Sequence, residues 1–145
     1  MRHTILAVIL GILVCFPAGA ESIVRDLQLC PDSPNCVSSR SDEANAHFVE
    51  PFLLKGEVTQ AWKRVREAVL ALPRSAAEQE GPTYLHAVVR SFLFRFPDDV
   101  ELALNSAARR VDVRSASRYG YSDLGVNSRR IEGLRETLRR EGVVE

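Results

Sequence analysis

Alternation of apolar and polar residues in the second half of the chain is the feature that most restricts its fold. Residues 99–104 alternate between Asp, Glu or Ala and Val or Leu, and residues 111–114 repeat the pattern before a polar stretch that ends near Arg118. Because successive side chains of a strand point to opposite faces, these residues predict two strands, the first with one wet face. Tyr84–Phe96 is rich in Val, Leu and Phe and predicts an earlier strand, at least partly covered on both sides. The short connections favour an antiparallel meander.

A helix is predicted before these strands. Apolar residues at helical spacing run from Val58 to Leu72, and Trp62 lies on that apolar stripe as a core residue. Pro73 ends the helix because proline cannot continue it. Residues 74–82 are then expected to form a polar connection to the first strand.

A second helix is predicted after the strands, where Ile131, Leu134 and Leu138 form an apolar stripe. Asn127 is the predicted N-cap, with Val126 and Ile131 placed as a hydrophobic staple around it. The expected architecture is therefore a two-layer α+β domain in the order helix, three-stranded antiparallel meander, helix.

Residues 1–20 have the pattern of a secretory signal peptide. A short basic start precedes the apolar run Ile5–Phe16, and small residues at Ala18 and Ala20 suit cleavage after residue 20. An uncleaved membrane anchor and lipid attachment at Cys15 are the alternatives, although the run is short for a bilayer. We expect a periplasmic or secreted protein with no membrane span after cleavage.

The cysteine pair that would remain after cleavage agrees with export. Residues 21–145 are expected to form one domain, in which 21–50 are an irregular arm pinned by a disulfide between Cys30 and Cys36. Metal binding and redox catalysis are the alternatives for this pair. No histidine lies near the pair in the sequence, which argues against a metal site. The spacing of the two cysteines is not that of a C-x-x-C motif, which argues against redox catalysis.

Composition narrows the possible functions. The 145 residues carry 19 Lys and Arg against 19 Asp and Glu, and 46% of them are hydrophobic. This composition is typical of a globular domain, and the absence of a basic excess argues against nucleic acid as a partner. Phosphate loops, dinucleotide glycine patterns, zinc-protease motifs and nucleophile elbows are missing from the sequence, so no cofactor, metal or catalytic residue is predicted.

The segment 114–130 is the candidate site, because it holds four arginines, four serines and two tyrosines. If Asn127 is the cap, Arg129 and Arg130 lie in the first helical turn, where the macrodipole disfavours cations. A carboxylate of Asp98, Asp99, Glu101 or Asp123, or a bound anion, is expected to compensate. The candidate ligand-binding residues are Arg114, Ser115, Ser117, Arg118, Asp123, Asn127 and Arg130.

Three interpretations of this segment remain open. The first is a non-enzymatic envelope module in which the arginines bind a small polar or anionic ligand, or a partner protein. The second is a small envelope hydrolase with Ser115, Ser117 or Ser122 as nucleophile and Asp123 or His86 as base. The third is a scaffold whose arginines pair internally, for example Arg114 with Glu101 across two strands.

Three motifs carry a family resemblance. They are Cys30-Pro31-x-Ser33-Pro34-Asn35-Cys36-Val37-Ser38-Ser39, then Asp98-Asp99-Val100-Glu101, and then Arg114-Ser115-x-Ser117-Arg118-x-Gly120-x-Ser122-Asp123-Leu124-Gly125-Val126-Asn127-x-Arg129-Arg130-Ile131. Together they resemble the domain of unknown function 1499 family of bacterial and plastid proteins, over nearly all of the chain after residue 20. The resemblance implies no known activity, so the motif residues are candidates for a shared role, structural or functional.

Overall fold

The computed structural model describes residues 26–145. The predicted signal peptide, its alternatives and the first residues of the arm lie outside the described residues. The elements in chain order are β1 (Cys36–Ser38), β2 (Phe52–Leu53), α1 (Val58–Leu70), β3 (Ser75–Glu80), β4 (Tyr84–Arg90), β5 (Pro97–Asn105), β6 (Arg110–Ser117) and α2 (Val126–Arg140). This content confirms the α+β class.

The sheet is wider than predicted. Six strands form one antiparallel sheet in the order β1-β6-β5-β4-β3, and β2 also pairs with β6. The three predicted strands correspond to β4, β5 and β6, which are neighbours. Residues 74–82, expected to be a polar connection, contain β3. Most of β3 is exposed, so it lacks the apolar alternation that would have revealed a strand.

The predicted strand Tyr84–Phe96 is too long by six residues. β4 ends at Arg90, and residues 91–96 form a turn closed by hydrogen bonds from Ser91 N to Phe96 O and from Phe96 N to Ser91 Oγ. The apolar side chains after Arg90 are therefore exposed rather than covered. Apolar composition indicated burial here, whereas the chain reverses before those residues can pair.

Both helices pack on one face of the sheet, which we call the helix face. α1 buries Ala61, Trp62, Val65 and Val69, and the Trp62 indole N–H donates to Pro82 O at 2.8 Å. The sheet contributes alternate residues to the same core, among them Leu85, Leu102 and Val113. Trp62 is thus a core residue, as predicted.

The start of α2 differs from the prediction. The N-cap is Gly125, with a φ of 78°, and Asn127 lies inside the helix. Val126 is the first helical residue, so the predicted staple does not form around Asn127. Instead, the backbone N–H of Val126 donates to Asp123 O, and Gly125, in the left-handed conformation, turns the chain into the helix.

The arm is held by the predicted disulfide. Cys30 and Cys36 are bonded, with their Cα atoms 5.6 Å apart. The arm also supplies β1, which the sequence did not predict, and Leu27, which is 5% exposed. Residues 26–28 pass over the sheet face opposite the helices, which we call the arm face, and Asp26 forms an ion pair there with Arg40 at 3.0 Å. Within residues 26–145, no helix has both the length and the apolar character needed to cross a bilayer.

Removing the disulfide should destabilise the protein. Replacing both Cys30 and Cys36 with Ala should lower the free energy of unfolding by about 2 kcal/mol, because a short covalent loop no longer restricts the unfolded chain. Urea unfolding measures this change. Dithiothreitol should lower the stability of the wild type to that of the variant and leave the variant unchanged. A wild type equally stable with and without reductant would contradict the prediction.

Candidate functional site

Strand β6 distributes the candidate residues between the two faces of the sheet. Its alternation directs Ser115 and Ser117 toward α2 on the helix face, and Arg114 and Arg118 toward the arm face. The seven candidate residues therefore do not form one cluster. Asp123, Asn127 and Arg130 join the two serines, and the two β6 arginines lie on the other side of the sheet.

On the arm face, Arg114 forms a buried ion pair with Glu101. The residues are register partners on β6 and β5, and Arg114 Nη1 donates to Glu101 Oε2 at 2.6 Å. Their side chains are 9% and 10% exposed. Tyr84, from β4, donates its hydroxyl to Glu101 Oε1 at 2.7 Å. The predicted cross-strand pairing of Arg114 with Glu101 is confirmed.

Arg118 and Asp99 form a second ion pair beside the first. The guanidinium donates to both oxygens of Asp99 and to Glu78 Oε2 at 2.8 Å. His86 Nε2 lies 2.7 Å from Asp99 Oδ1. Although burial opposes it, hydrogen bonding from Arg118 and then from His86 lowers the pKa of Asp99 below its usual value. Hydrogen bonds to Asp99 and Glu78 raise the pKa of Arg118, so both groups stay charged at neutral pH.

These groups line a polar cavity of about 340 Å³, which we call the arm-face cavity. Gln28 and Asp26 from the arm and Gln79 from β3 complete its wall. The full lining is Asp26, Gln28, Gln79, Tyr84, His86, Asp99, Glu101, Arg114 and Arg118. Three carboxylates face two guanidinium groups, so the lining has a net negative charge when His86 is neutral.

On the helix face, Asn127 is the centre of a buried hydrogen-bond network. Its side chain is fully buried, accepts from the Ser115 hydroxyl at 2.6 Å and donates to Ser117 Oγ at 3.0 Å. It also donates to Asn35 O at 3.1 Å and to Asp123 Oδ2 at 2.7 Å. One amide therefore joins the arm, β6, the following loop and α2.

One of the two arginines at the start of α2, Arg130, is compensated by a carboxylate. Arg130 donates to Asp98 Oδ2 on β5 and also to Ser115 and Asn127. Both members of the Arg130–Asp98 pair are at most 10% exposed. Arg129 has no ion pair with any residue of 26–145 and instead donates to Leu124 O at 3.0 Å. The carboxylate of Asp98 thus supplies the negative charge beside Arg130 that a bound anion would otherwise have to provide.

Asp123 acts as the side-chain cap of α2, the role expected of Asn127. Its carboxylate accepts from Gly125 N at 2.9 Å and Asn127 N at 2.8 Å. Although burial opposes it, the backbone N–H groups of Asn127 and Gly125 lower the pKa of Asp123. Asp123 also lines a second cavity of about 500 Å³ beside the disulfide loop and His47. Another cavity, of about 590 Å³, is a groove between α1 and α2 and contains Arg130 but none of the other candidates.

The hydrolase interpretation requires one of three serines, Ser115, Ser117 or Ser122, to lie beside a base. Among the described residues, none of Ser115, Ser117 and Ser122 forms a hydrogen bond with a histidine or a carboxylate. Ser115 is fully buried, and His86 lies on the opposite face of the sheet. The nucleophile and base that acyl transfer requires are therefore not assembled here.

Glu78, His86 and Asp99 have donor atoms within 4.8 Å of one another, a spacing that a metal ion could bridge. The guanidinium of Arg118 already contacts both carboxylates, at 2.8 Å and 2.7 Å. The positive charge at this cluster thus comes from the protein itself.

Several residues of the cavity and of the Asn127 network were not predicted from the sequence. Gln28, Gln79 and Glu78 lie in segments interpreted as arm or connection, and Asn35 was considered only as part of the disulfide loop. The signal that could have identified Tyr84 is its spacing of two from His86, which places both on one strand face. Nothing in the local sequence indicates that this face meets residues 26–28.

The family comparison agrees with the resemblance drawn from the motifs. The family model described as "Protein of unknown function (DUF1499)" matches residues 26–138. The matched range includes both ion pairs of the arm face and the Asn127 network. The comparison with curated proteins found no match.

Replacing Asn127 should destabilise the fold strongly. Asn127→Ala should lower the free energy of unfolding by about 3 kcal/mol, because several buried partners lose hydrogen bonds together. Urea unfolding followed by circular dichroism measures this change. Asn45→Ala, at an exposed turn position, is the matched control and should cost clearly less. Equal losses in the two variants would contradict a central role for Asn127.

The contribution of Asp123 should depend on pH. Its pKa is lower in the folded state, so the ionised carboxylate stabilises the fold above the unfolded-state pKa of about 3.9. That stabilisation is lost as pH falls through the folded-state pKa. Asp123→Ala should cost about 1 kcal/mol at pH 7, as for other caps, and the difference from wild type should shrink below about pH 4.

Urea unfolding at a series of pH values tests this expectation. Asp123→Asn keeps one acceptor oxygen without the charge, so its stability should lie between those of wild type and Asp123→Ala at neutral pH. A difference between wild type and Asp123→Ala that stays constant from neutral to acid pH would contradict the assignment of the charged carboxylate as the cap.

Proposed function

The chain belongs to the DUF1499 family, and we propose that it is an exported protein that binds a small, polar, hydroxyl-rich molecule in the arm-face cavity. One observation carries the proposal. Two guanidinium and two carboxylate groups from β5 and β6 converge on a single cavity and hold one another in position. Polar groups fixed in this way lose little conformational entropy when a ligand arrives, which favours binding.

The charge of the cavity favours a neutral or cationic ligand over an anionic one. Arg114 and Arg118 are already neutralised by Glu101 and Asp99, so neither offers an uncompensated positive charge. Arg118 also contacts a second carboxylate, that of Glu78, whereas Asp26 in the wall is itself paired with Arg40. A sugar hydroxyl both donates and accepts hydrogen bonds, and can therefore be bound by carboxylates, guanidinium groups and the amides of Gln28 and Gln79 together.

The proposed role is binding without catalysis. Although burial opposes it, hydrogen bonds from Arg118 and His86 lower the pKa of Asp99, so this carboxylate is not a proton donor at neutral pH. Both oxygens of Glu101 are already engaged by Arg114 and Tyr84. The volume of about 340 Å³ lies at the small end of ligand pockets and suits a single sugar ring.

Export is part of the proposal. Its support is the signal-peptide pattern of residues 1–20 together with the Cys30–Cys36 disulfide, since disulfides persist in oxidising compartments. The expected location is the periplasm or the exterior of the cell.

Three related sugars test the proposal. D-glucosamine, D-glucose and D-glucuronate share one ring and differ mainly in charge. Proton–nitrogen NMR of the labelled protein should show shifts in β4, β5 and β6 with glucosamine and glucose, and weaker shifts with glucuronate. The reason is the net negative charge of the lining.

Matched glutamine variants localise the binding. Gln79→Ala removes an exposed amide of the cavity wall and should weaken sugar binding severalfold. Gln60→Ala removes an exposed amide of α1, outside the cavity, and should leave binding unchanged. The absence of shifts with all three sugars, or equal effects of the two variants, would refute the proposal and leave the arginines as structural ion-pair partners.

A further inference from the structure

The turn between β4 and β5 exposes a concentrated set of large apolar side chains. Phe92, Leu93, Phe94 and Phe96 are 80%, 72%, 67% and 54% exposed. Phe94 and Phe96 stack with their ring centroids 5.5 Å apart, so they cover each other without being buried. We call Phe92–Phe96 the apolar tip. Connections on protein surfaces are usually polar, and a contiguous exposed apolar patch usually marks an interaction surface.

Cations surround the tip. Arg74 lies with its guanidinium carbon 5.5 Å from the centre of the Phe92 ring, Arg90 ends β4, and Arg95 is within the tip itself. None of the three forms an ion pair with another described residue. The carboxylates that follow the tip, Asp98 and Asp99, are already paired on β5 with Arg130 and Arg118. The positive charge at this end of the sheet is therefore not neutralised by neighbouring acids.

Two of these arginines occupy unfavourable backbone conformations. The φ angles of Arg74 and Arg95 are 60° and 58°, in the left-handed region where glycine is favoured. The backbone conformation therefore does not explain why arginine, rather than glycine, occupies these two positions.

More apolar side chains are exposed at the same end of the sheet. Because β5 and β6 are antiparallel, the loop after β6 begins beside the start of β5, and Arg118 N donates to Pro97 O. In that loop, Tyr119, Tyr121 and Leu124 are 67%, 76% and 84% exposed. The apolar surface thus extends beyond the hairpin and has aromatic residues at its margin.

We propose that this end of the protein docks on a phospholipid bilayer that contains anionic head groups, with the apolar tip inserted among the lipids. Inserted phenylalanine and leucine side chains leave water, and the surrounding arginines attract the anionic surface. Tyrosine favours the head-group region, where its ring is apolar and its hydroxyl stays hydrated. The charge complementarity favours a lipid surface over a second copy of the chain, because two such tips would repel each other. The inference is independent of the proposed sugar binding.

A tryptophan in the tip reports insertion directly. Trp62 is the only tryptophan of the chain and is 4% exposed, so its emission should not respond to lipid. Phe94→Trp in the full chain should shift its emission to shorter wavelength with phosphatidylcholine vesicles that contain phosphatidylglycerol. Vesicles of phosphatidylcholine alone should produce a much smaller shift. Leu93→Trp is a second reporter if the first variant does not fold.

A reporter at the other end of the sheet is the matched control. Leu53 is 44% exposed and pairs with Arg110, at the start of β6. Leu53→Trp should show no lipid-dependent shift. This control is needed because the apolar run Ile5–Phe16 could itself attach the full chain to a vesicle without involving the tip.

Charge reversal tests the arginines. Arg95→Glu in the Phe94→Trp protein should raise the lipid concentration for half-maximal shift about tenfold, since each cation near an anionic surface contributes about fivefold to binding. Lys55→Glu makes the same charge change near Leu53 and should have little effect. High salt should weaken binding of the unreversed protein.

Three results would overturn the proposal. The first is no shift of the tip reporters with anionic vesicles. The second is an equal shift at positions 53 and 94. The third is a shift that depends on protein concentration without vesicles, which would show that the tip meets a second copy of the chain.

Discussion

The buried amide of Asn127 is the interaction on which the arrangement of the chain most depends. Through it, α2 is joined to β6, to the disulfide-bonded arm and to the capping carboxylate of Asp123. A buried polar group without partners is costly, so these segments must meet in one arrangement to satisfy it. On the helix face, the polar residues of segment 114–130 that suggested a functional site are largely hydrogen-bond partners of the buried Asn127. The same network places Arg130 against Asp98 and offsets the helix dipole.

The alternation of β6 gives the same segment a second role on the other face of the sheet. Arg114 and Arg118 extend away from the Asn127 network and meet carboxylates on β5, which keeps them in place beside the arm. Their positive charge is thereby balanced within the protein. The sequence alone predicted a small polar or anionic ligand, or a partner protein, whereas this balance is the reason why the proposed ligand is neutral or cationic. Asp26 and Gln28 also line the cavity, so the arm that the disulfide restrains is part of the proposed binding surface as well as of the fold.

The two proposed activities lie near each other. Arg118, in the wall of the arm-face cavity, directly contacts the backbone of Pro97, the first residue after the apolar tip. Docking through the tip would therefore hold the cavity close to the lipid surface. Binding of a ligand from that surface would then require little diffusion, although each activity depends on its own residues and can be lost without the other.

Local pattern determined the α+β class, the two helices, the strand cores and the disulfide, because periodicity and cysteine spacing depend only on neighbouring residues. It also predicted the pairing of Arg114 with Glu101, since alternation places each of them among the polar positions of its strand. Tertiary structure decided the rest. The exposed strand β3 has no apolar alternation, and the reversal at Ser91 left four apolar residues outside the core. The division of the candidate residues between two faces, and the meeting of Gln28 with β4, depend on pairings between distant segments, which no local spacing encodes.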